Sequence, residues 1–208
     1  MQMLNKYLDD VLNLSVEYEE VNDSFTQVKV SNKINKISFP SRDYESIING
    51  DEHKIVDLKT PIRNYTLIYN GKVVDYIDSH EIYRQFQAYR EAHGNVLIGG
   101  LGLGFITKMI LLKNDVDSVT VIEKEQNIIK MFNNIDKKLN IICGDFVEYI
   151  KNNLNYNYIY CDIITKLEAE SYLDIIHIKK LLLKYNPYIQ YRIGHEELIK
   201  SLYITSGI

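Results

Sequence analysis

Nine residues decide the fold of this chain: Val96-Leu97-Ile98-Gly99-Gly100-Leu101-Gly102-Leu103-Gly104. Three apolar residues typical of a buried strand run directly into a turn that contains four glycines. Glycine adopts a positive φ without steric cost and allows other groups to approach the backbone closely. The stretch therefore predicts a strand, a tight glycine turn and the start of a helix, which together open a βαβ unit.

The chain beyond Gly94 alternates between strand and helix patterns. The predicted strands are 95–98, 118–122, 139–143, 157–161 and 187–192, and the predicted helices are 104–113, 125–133, 145–153, 168–184 and 195–203. This alternation predicts an α/β fold with a parallel, Rossmann-like sheet and helices on both faces. Tyr156, Tyr158 and Tyr160 alternate at strand spacing, so we expect them to pack against helices.

Residues 1–77 follow a different pattern, and we interpret them as a small β-rich domain that precedes the α/β domain of residues 78–208. A helix candidate at 3–14 is followed by short alternating runs at 25–30, 37–39 and 54–58. The clearest local signal is Asn70-Gly71 between two β-rich runs, because both residues tolerate the positive φ of a type I′ hairpin turn.

A helix-entry motif marks the start of the second predicted domain. Asp78 is followed three residues later by Glu81, which resembles a capping box with Asp in place of Ser or Thr. The predicted helix runs to Ala92.

The composition is that of a globular protein. Its 208 residues are 46% hydrophobic and 25% charged, which suffices for one sizeable core and a small appendage. The longest uncharged apolar stretch, 96–106, falls short of the ~20 residues that a membrane-spanning helix needs. Asp9 and Asp10 interrupt the N-terminus where a secretory signal requires an apolar region. We therefore expect a cytoplasmic protein with no membrane segment.

Charge and ligand-type residues limit the partners. The net charge is −4 and the lysines are scattered, so nucleic acid is not the expected partner. Cys143 and Cys161 each end a β-type run, and we expect both to be buried small hydrophobes. The histidines have no metal-site spacing with cysteine, so we expect no metal site.

An acidic residue ends the second strand of the α/β pattern. Glu123 lies 19 residues after Gly104, at the carboxyl edge of the predicted sheet. Its carboxylate can accept hydrogen bonds from both hydroxyls of a ribose. Together with Gly100, Gly102 and Gly104, it predicts a site for an adenosine-containing cofactor, and both NAD and S-adenosylmethionine fit these residues.

Two further acids follow the third and fourth strands. Asp145, after Gly144, can accept the amino group of an adenine while Phe146 packs on the ring, although Asp145 can also be a helix N-cap. Asp162 ends the fourth strand and points into the same crevice. These positions favour S-adenosylmethionine over NAD.

This set of residues resembles the class I S-adenosylmethionine-dependent methyltransferases, and within them the spermidine synthase-like branch, over about residues 67–165. The matching positions are Asn70-Gly71, Tyr83, Gly100-Leu101-Gly102-Leu103-Gly104, Glu123, Gly144-Asp145 and Asp162. The resemblance implies an S-adenosylmethionine cofactor bound by the three turn glycines Gly100, Gly102 and Gly104 and by Glu123, Asp145, Phe146 and Asp162. It also implies Asp162 and Tyr83 as candidate catalytic residues.

The departures from that branch concern its substrate. Arg84-Gln85 stand where the branch has His-Glu, Leu103 replaces an aspartate, and Ile163 to Lys166 lack the second acid and the proline that follow Asp162 in the family. The missing acids are those that would hold polyamine ammonium groups. The leading expectation is therefore a methyltransferase whose acceptor is a small molecule or a protein. The alternatives are an aminopropyltransferase and a non-catalytic S-adenosylmethionine-binding protein.

The chain after Asp162 is short for this family, so we expect the closing strand pair of the methyltransferase sheet to be missing. The open edge would then be covered by the N-terminal domain or by a second subunit in a homodimer.

Overall fold

The computed structural model describes residues 2–13, 26–40, 53–132, 136–153 and 155–207. The chain divides into two compact units, Met1–Arg90 and Glu91–Ile208. The sequence-based boundary after residue 77 stays a prediction. None of the helices in the described ranges is long and apolar enough to cross a bilayer.

The first unit contains a three-stranded antiparallel sheet and two helices. Its elements are α1 (Gln2–Asn13), β1 (Thr26–Pro40), β2 (His53–Tyr69), β3 (Lys72–Ile77) and α2 (Ser79–Glu91), with the sheet order β1-β2-β3. The short predicted runs belong to two long strands, β1 and β2. The pairing of β1 with β2 shifts register between Val30 and Lys33 and again between Ile34 and Lys36. These shifts interrupt the alternation of apolar and polar residues, although the strand itself continues. Predicted positions 14 and 25, and position 133 at the end of a predicted helix, lie outside the described residues.

Both local signals of this unit are confirmed. Asn70 and Gly71 have φ values of 51° and 73°, as a type I′ turn requires. The backbone N–H of Glu81 donates to Oδ1 of Asp78 over 2.8 Å, so Asp78 caps α2. Helix α1 packs on α2 through Tyr7, whose buried hydroxyl donates to the carbonyl oxygen of Ile82 over 2.6 Å.

The second unit is a five-stranded parallel sheet with helices between the strands. Its elements are β4 (Gly94–Gly99), α3 (Phe105–Leu111), β5 (Val116–Glu123), α4 (Gln126–Met131), β6 (Leu139–Cys143), α5 (Phe146–Ile150), β7 (Tyr158–Cys161), α6 (Ser171–Tyr185), β8 (Gln190–Ile193) and α7 (Glu196–Ser206). The strand order is β6-β5-β4-β7-β8, the doubly wound order, and it confirms the predicted Rossmann-like α/β fold.

The core on one face of this sheet joins three helices to four strands. It consists of buried apolar side chains from β4, β5, β7, β8, α5, α6 and α7 and the adjoining loop: Leu97, Ile122, Phe146, Ile150, Ile159, Cys161, Ile175, Ile178, Leu182, Ile189, Ile193 and Ile199. Cys161 is buried as predicted. The prediction for Cys143 is wrong, because this cysteine ends an edge strand and is exposed.

Two elements begin three residues later than the sequence predicts. The segment before α6 forms turns in which the N–H of Ser171 donates to the carbonyl oxygen of Glu168 over 3.2 Å, so the α-helix begins three residues later than expected. Strand β8 begins at Gln190 because Asn186-Pro187 form a turn, in which the N–H of Tyr188 donates to the side chain of Asn186.

Candidate functional site

The glycine turn between β4 and α3 depends on backbone conformations that favour glycine. Gly100, Gly102 and Gly104 have φ values of 86°, 52° and 70°. The turn is closed by the N–H of Gly104, which donates to the carbonyl oxygen of Leu101 over 2.7 Å. A Cβ atom on Gly104 would lie 2.0 Å from the ring of Phe132, so this position also needs glycine for lack of space.

The ends of β4 and β7 meet at this turn. The N–H of Asp162 donates to the carbonyl oxygen of Gly99 over 2.8 Å. A Cβ atom on Gly100 would lie 2.7 Å from the carbonyl oxygen of Asp162. In the doubly wound order these two strands are the neighbours at which the direction of winding reverses, and ligands of open α/β sheets bind outside the strand ends at that point.

Glu123 joins the end of β5 to the glycine turn. Its side chain is only 7% exposed, and Oε2 accepts the backbone N–H of Leu101 over 2.9 Å. Oε1 accepts the N–H of Glu125, also over 2.9 Å. Each carboxylate oxygen can accept more than one hydrogen bond, so this geometry is compatible with ribose hydroxyls as additional donors. The sequence did not reveal that the same carboxylate supports the turn.

Asp145 and Phe146 lie at the end of the neighbouring strand β6, where the N–H of Gly144 donates to the carbonyl oxygen of Glu123 over 3.0 Å. Asp145 is exposed and caps α5, because its Oδ1 accepts the N–H of Glu148 over 3.0 Å. Phe146 is 3% exposed and packs against Gly99. Contact of both residues with an adenine stays a prediction.

Asp162 has a side-chain partner that the sequence analysis missed. The hydroxyl of Tyr160 donates to its Oδ2 over 3.0 Å. Tyr160 is buried in β7 and 1% exposed, whereas Asp162 is half-buried just beyond the strand. The alternation of the tyrosines is typical of packing residues, and strand spacing alone cannot show which group a hydroxyl contacts.

A second group of polar side chains consists of Tyr158 on β7, Arg192 on β8 and Glu91. Arg192 on β8 forms a two-pronged ion pair with Glu91, in which Nε donates to Oε2 over 2.9 Å and Nη2 donates to Oε1 over 2.5 Å. The hydroxyl of Tyr158 also donates to Oε2 of Glu91, over 3.2 Å. Burial, with Glu91 adding to it, raises the pKa of the Tyr158 hydroxyl well above its usual value. The phenol therefore stays protonated and remains a donor.

The segment after Asp162 is apolar before it becomes charged. Ile163 and Ile164 are half-buried. Lys166 is exposed, and its Nζ lies 3.4 Å from Oε1 of the exposed Glu168. Within the described residues, no group of three or more His, Cys, Asp or Glu side chains is arranged to hold a metal ion.

Tyr83, the other candidate catalytic residue, belongs to the first unit. It is buried on α2, and its catalytic role stays a prediction. The next residue, Arg84, donates its Nε–H to Oε2 of the buried Glu81 over 2.8 Å. This arginine is therefore engaged with an acid of its own helix.

Five of the seven predicted ligands lie in the glycine turn or contact it: Gly100, Gly102, Gly104, Glu123 and Asp162. Asp145 adjoins them through Gly144. The arrangement presents carboxylates at the ends of three strands around a glycine turn, which is a set of acceptors for hydroxyl, amino and ammonium groups.

No protein-family model matches the sequence, and neither does any curated protein sequence. Solved structures with a similar fold include a spermidine synthase in complex with a transition-state analogue, at 13% identity and a TM-score of 0.37 over 68% of this chain and 44% of that chain. The plantazolicin methyltransferase BpumL with S-adenosylhomocysteine matches at 19% identity and a TM-score of 0.35, over 57% of this chain and 52% of that one.

A third similar structure is a protein described as a caffeoyl-CoA O-methyltransferase from Staphylococcus aureus, at 16% identity and a TM-score of 0.40, over 64% of this chain and 74% of that one. The chain spans only about half the length of the first two proteins. At these identities the likeness concerns the α/β fold, and the residues of the site carry the functional proposal.

Proposed function

We propose that the second unit binds S-adenosylmethionine at the carboxyl edge of its sheet and that the protein is an S-adenosylmethionine-dependent transferase. Its reaction is methyl transfer to an acceptor that is a small molecule or a protein. The observation that carries the proposal is the contact of the Glu123 carboxylate with the N–H of Leu101. It joins an acid at the end of one strand to the glycine turn after the neighbouring strand, which is the arrangement that suits a ribose.

The residues present fit this cofactor. Glu123 would accept the two ribose hydroxyls, and Asp145 would accept the adenine amino group. Gly100 lets the turn lie close to the backbone of Asp162, where a Cβ atom would lie 2.7 Å from the carbonyl oxygen. Asp162 is half-buried at the end of β7, where the direction of winding reverses, and it would contact the ammonium group of the methionine part.

The main task of the protein in methyl transfer is to position the two reactants. Bound S-adenosylmethionine supplies a methyl group made electrophilic by the positively charged sulfur. The protein holds the donor and the acceptor in line, and a base is needed only where the acceptor must lose a proton. Asp162 is the candidate residue beside the reacting groups, and Tyr83 is the second candidate.

Methyl transfer is proposed over aminopropyl transfer because this chain has no acids at the positions where the spermidine synthase-like branch has its further ones. Leu103 in the glycine turn is 1% exposed, and Ile163 and Ile164 follow Asp162. A polyamine carries two or three ammonium groups, and their loss of hydration needs several carboxylates in compensation.

Calorimetric titration with S-adenosylmethionine, S-adenosylhomocysteine, decarboxylated S-adenosylmethionine and NAD tests the proposal. We expect the first two to bind more tightly than NAD. Equal or tighter binding of NAD would overturn the cofactor assignment, and preference for the decarboxylated ligand would favour an aminopropyltransferase. Tight binding of S-adenosylmethionine without methyl transfer to any acceptor would favour a non-catalytic binding protein.

A further inference from the structure

We propose that Tyr160 is a positioning residue that orients the carboxylate of Asp162 toward the ammonium group of the adenosyl ligand. The inference rests on the proposed function, because the ligand in question is S-adenosylmethionine or S-adenosylhomocysteine. Tyr160 itself touches no ligand. It acts through the 3.0 Å hydrogen bond from its hydroxyl to Oδ2 of Asp162.

The position of Tyr160 makes its hydroxyl a fixed point. In the sheet, Tyr160 pairs with Ile98 of β4 on one side and with Arg192 of β8 on the other, so its backbone is held by both neighbouring strands. The side chain is 1% exposed. A phenol has only two side-chain torsions, and close packing restricts both. The hydroxyl therefore has a defined place relative to the sheet.

Asp162 follows directly after the strand of Tyr160. Strand β7 ends at Cys161, and the N–H of Asp162 still donates to the carbonyl oxygen of Gly99, so its backbone is held while its side chain is half-buried. A carboxylate in such a place can rotate among several orientations unless a neighbouring group selects one. The phenol selects one orientation through a charge-assisted hydrogen bond, and as a neutral donor it brings no charge of its own.

Preorganisation of this kind strengthens binding without a new contact, because the ordering of the side chain is complete before the ligand arrives. The effect is limited to ligands that use the ordered group. An adenosyl ligand with an amino-acid part carries the ammonium group, whereas 5′-methylthioadenosine has the same adenosine and sulfur but no amino acid. The difference in affinity between these two ligands measures the contribution of the amino-acid part, which includes the proposed contact of its ammonium group with Asp162.

The test is calorimetric titration of wild type, Tyr160→Phe, Asp162→Asn and the double variant with S-adenosylhomocysteine and with 5′-methylthioadenosine. We expect Tyr160→Phe to weaken S-adenosylhomocysteine binding by roughly three- to tenfold, the range of one hydrogen bond, and to leave 5′-methylthioadenosine within about twofold. In the Asp162→Asn background, the same substitution should weaken S-adenosylhomocysteine binding less than it does in the wild type, because asparagine still accepts from the phenol but has lost the negative charge that attracts the ammonium group. Circular dichroism melting of each variant reports whether it is folded.

Tyr158→Phe is the matched control. Tyr158 lies two residues earlier on the same face of β7, and its hydroxyl donates to Glu91 instead of Asp162. Tyr158→Phe should leave the ratio of the affinities for S-adenosylhomocysteine and 5′-methylthioadenosine unchanged. Equal effects of Tyr160→Phe on both ligands, additive effects of Tyr160→Phe and Asp162→Asn, or no effect at all would overturn the inference while leaving the proposed function standing. A wild type that binds neither ligand would overturn both.

Discussion

Replacement of Glu123 by glutamine separates the structural role of this carboxylate from its proposed role in binding. Glutamine keeps the length of the side chain, but one of its two end groups is an NH₂ that cannot accept from a backbone N–H. In the structure both carboxylate oxygens accept such a donor, one from Leu101 and one from Glu125. The variant must leave one of the two donors without its partner. Since Leu101 is 3% exposed, water cannot readily replace the lost acceptor.

We therefore expect Glu123→Gln to lower the free energy of unfolding by about 1–3 kcal/mol, the cost of one unsatisfied buried donor. Urea unfolding without ligand measures this effect. Asp117→Asn is the control, because Asp117 is an exposed acid on the same strand and its replacement should change stability by less than about 0.5 kcal/mol. An unchanged unfolding free energy in Glu123→Gln would refute the structural role.

The proposed ribose contact has its own measurement. Glu123→Gln should weaken S-adenosylhomocysteine binding by about 1–3 kcal/mol, which is roughly 5- to 150-fold in Kd. A distorted glycine turn could also weaken binding, so the affinity for the 2′-deoxy analogue of S-adenosylhomocysteine is measured as well. Wild type should prefer S-adenosylhomocysteine over this analogue, and Glu123→Gln should lose most of that preference. A folded variant that keeps the full preference would show that Glu123 does not contact the ribose.

Two further predictions concern substrate choice and the glycine turn. With decarboxylated S-adenosylmethionine and either putrescine or spermidine, we expect no release of methylthioadenosine; polyamine-dependent release that vanishes in Asp162→Asn would support an aminopropyltransferase instead. Gly100→Ala should lower the free energy of unfolding by about 2–4 kcal/mol, because its φ is 86° and the new Cβ would lie 2.7 Å from the carbonyl oxygen of Asp162. Gly144→Ala, where nothing lies within 4 Å of the new Cβ, should be nearly neutral in thermal unfolding, and equal losses in both variants would contradict this account.

The parts of the fold that were predictable from sequence are those whose causes are local. Asn70-Gly71 specifies its turn because both residues accept a positive φ, and Asp78 specifies the start of α2 because its side chain bonds a backbone N–H only three residues away. The parallel sheet follows from the alternation of strand and helix periods. Strand boundaries were less predictable. Strand β8 begins three residues later than expected, because the first residues of the predicted strand 187–192 belong to the turn at Asn186-Pro187.

The contacts that shape the candidate site are long-range or depend on side-chain reach, and for that reason the sequence did not reveal them. Glu123 lies 22 residues from its partner Leu101, and Glu91 lies 101 residues from Arg192. Tyr160 is only two residues from Asp162, yet its alternation with Tyr158 is equally typical of plain packing. The strand order had to be known before the two long-range pairs could be identified.

These contacts also determine how the site responds to change. The glycine turn is held by Ile122 through the N–H of Gly100, by Glu123 through the N–H of Leu101, and by close contact of Gly100 with the Asp162 backbone. Because the turn is tied to both neighbouring strands, its conformation is set by the folded sheet before a ligand binds, and little ordering cost remains for binding. Residues that hold the turn, or that hold its acids as Tyr160 does, are therefore expected to influence affinity without touching the ligand.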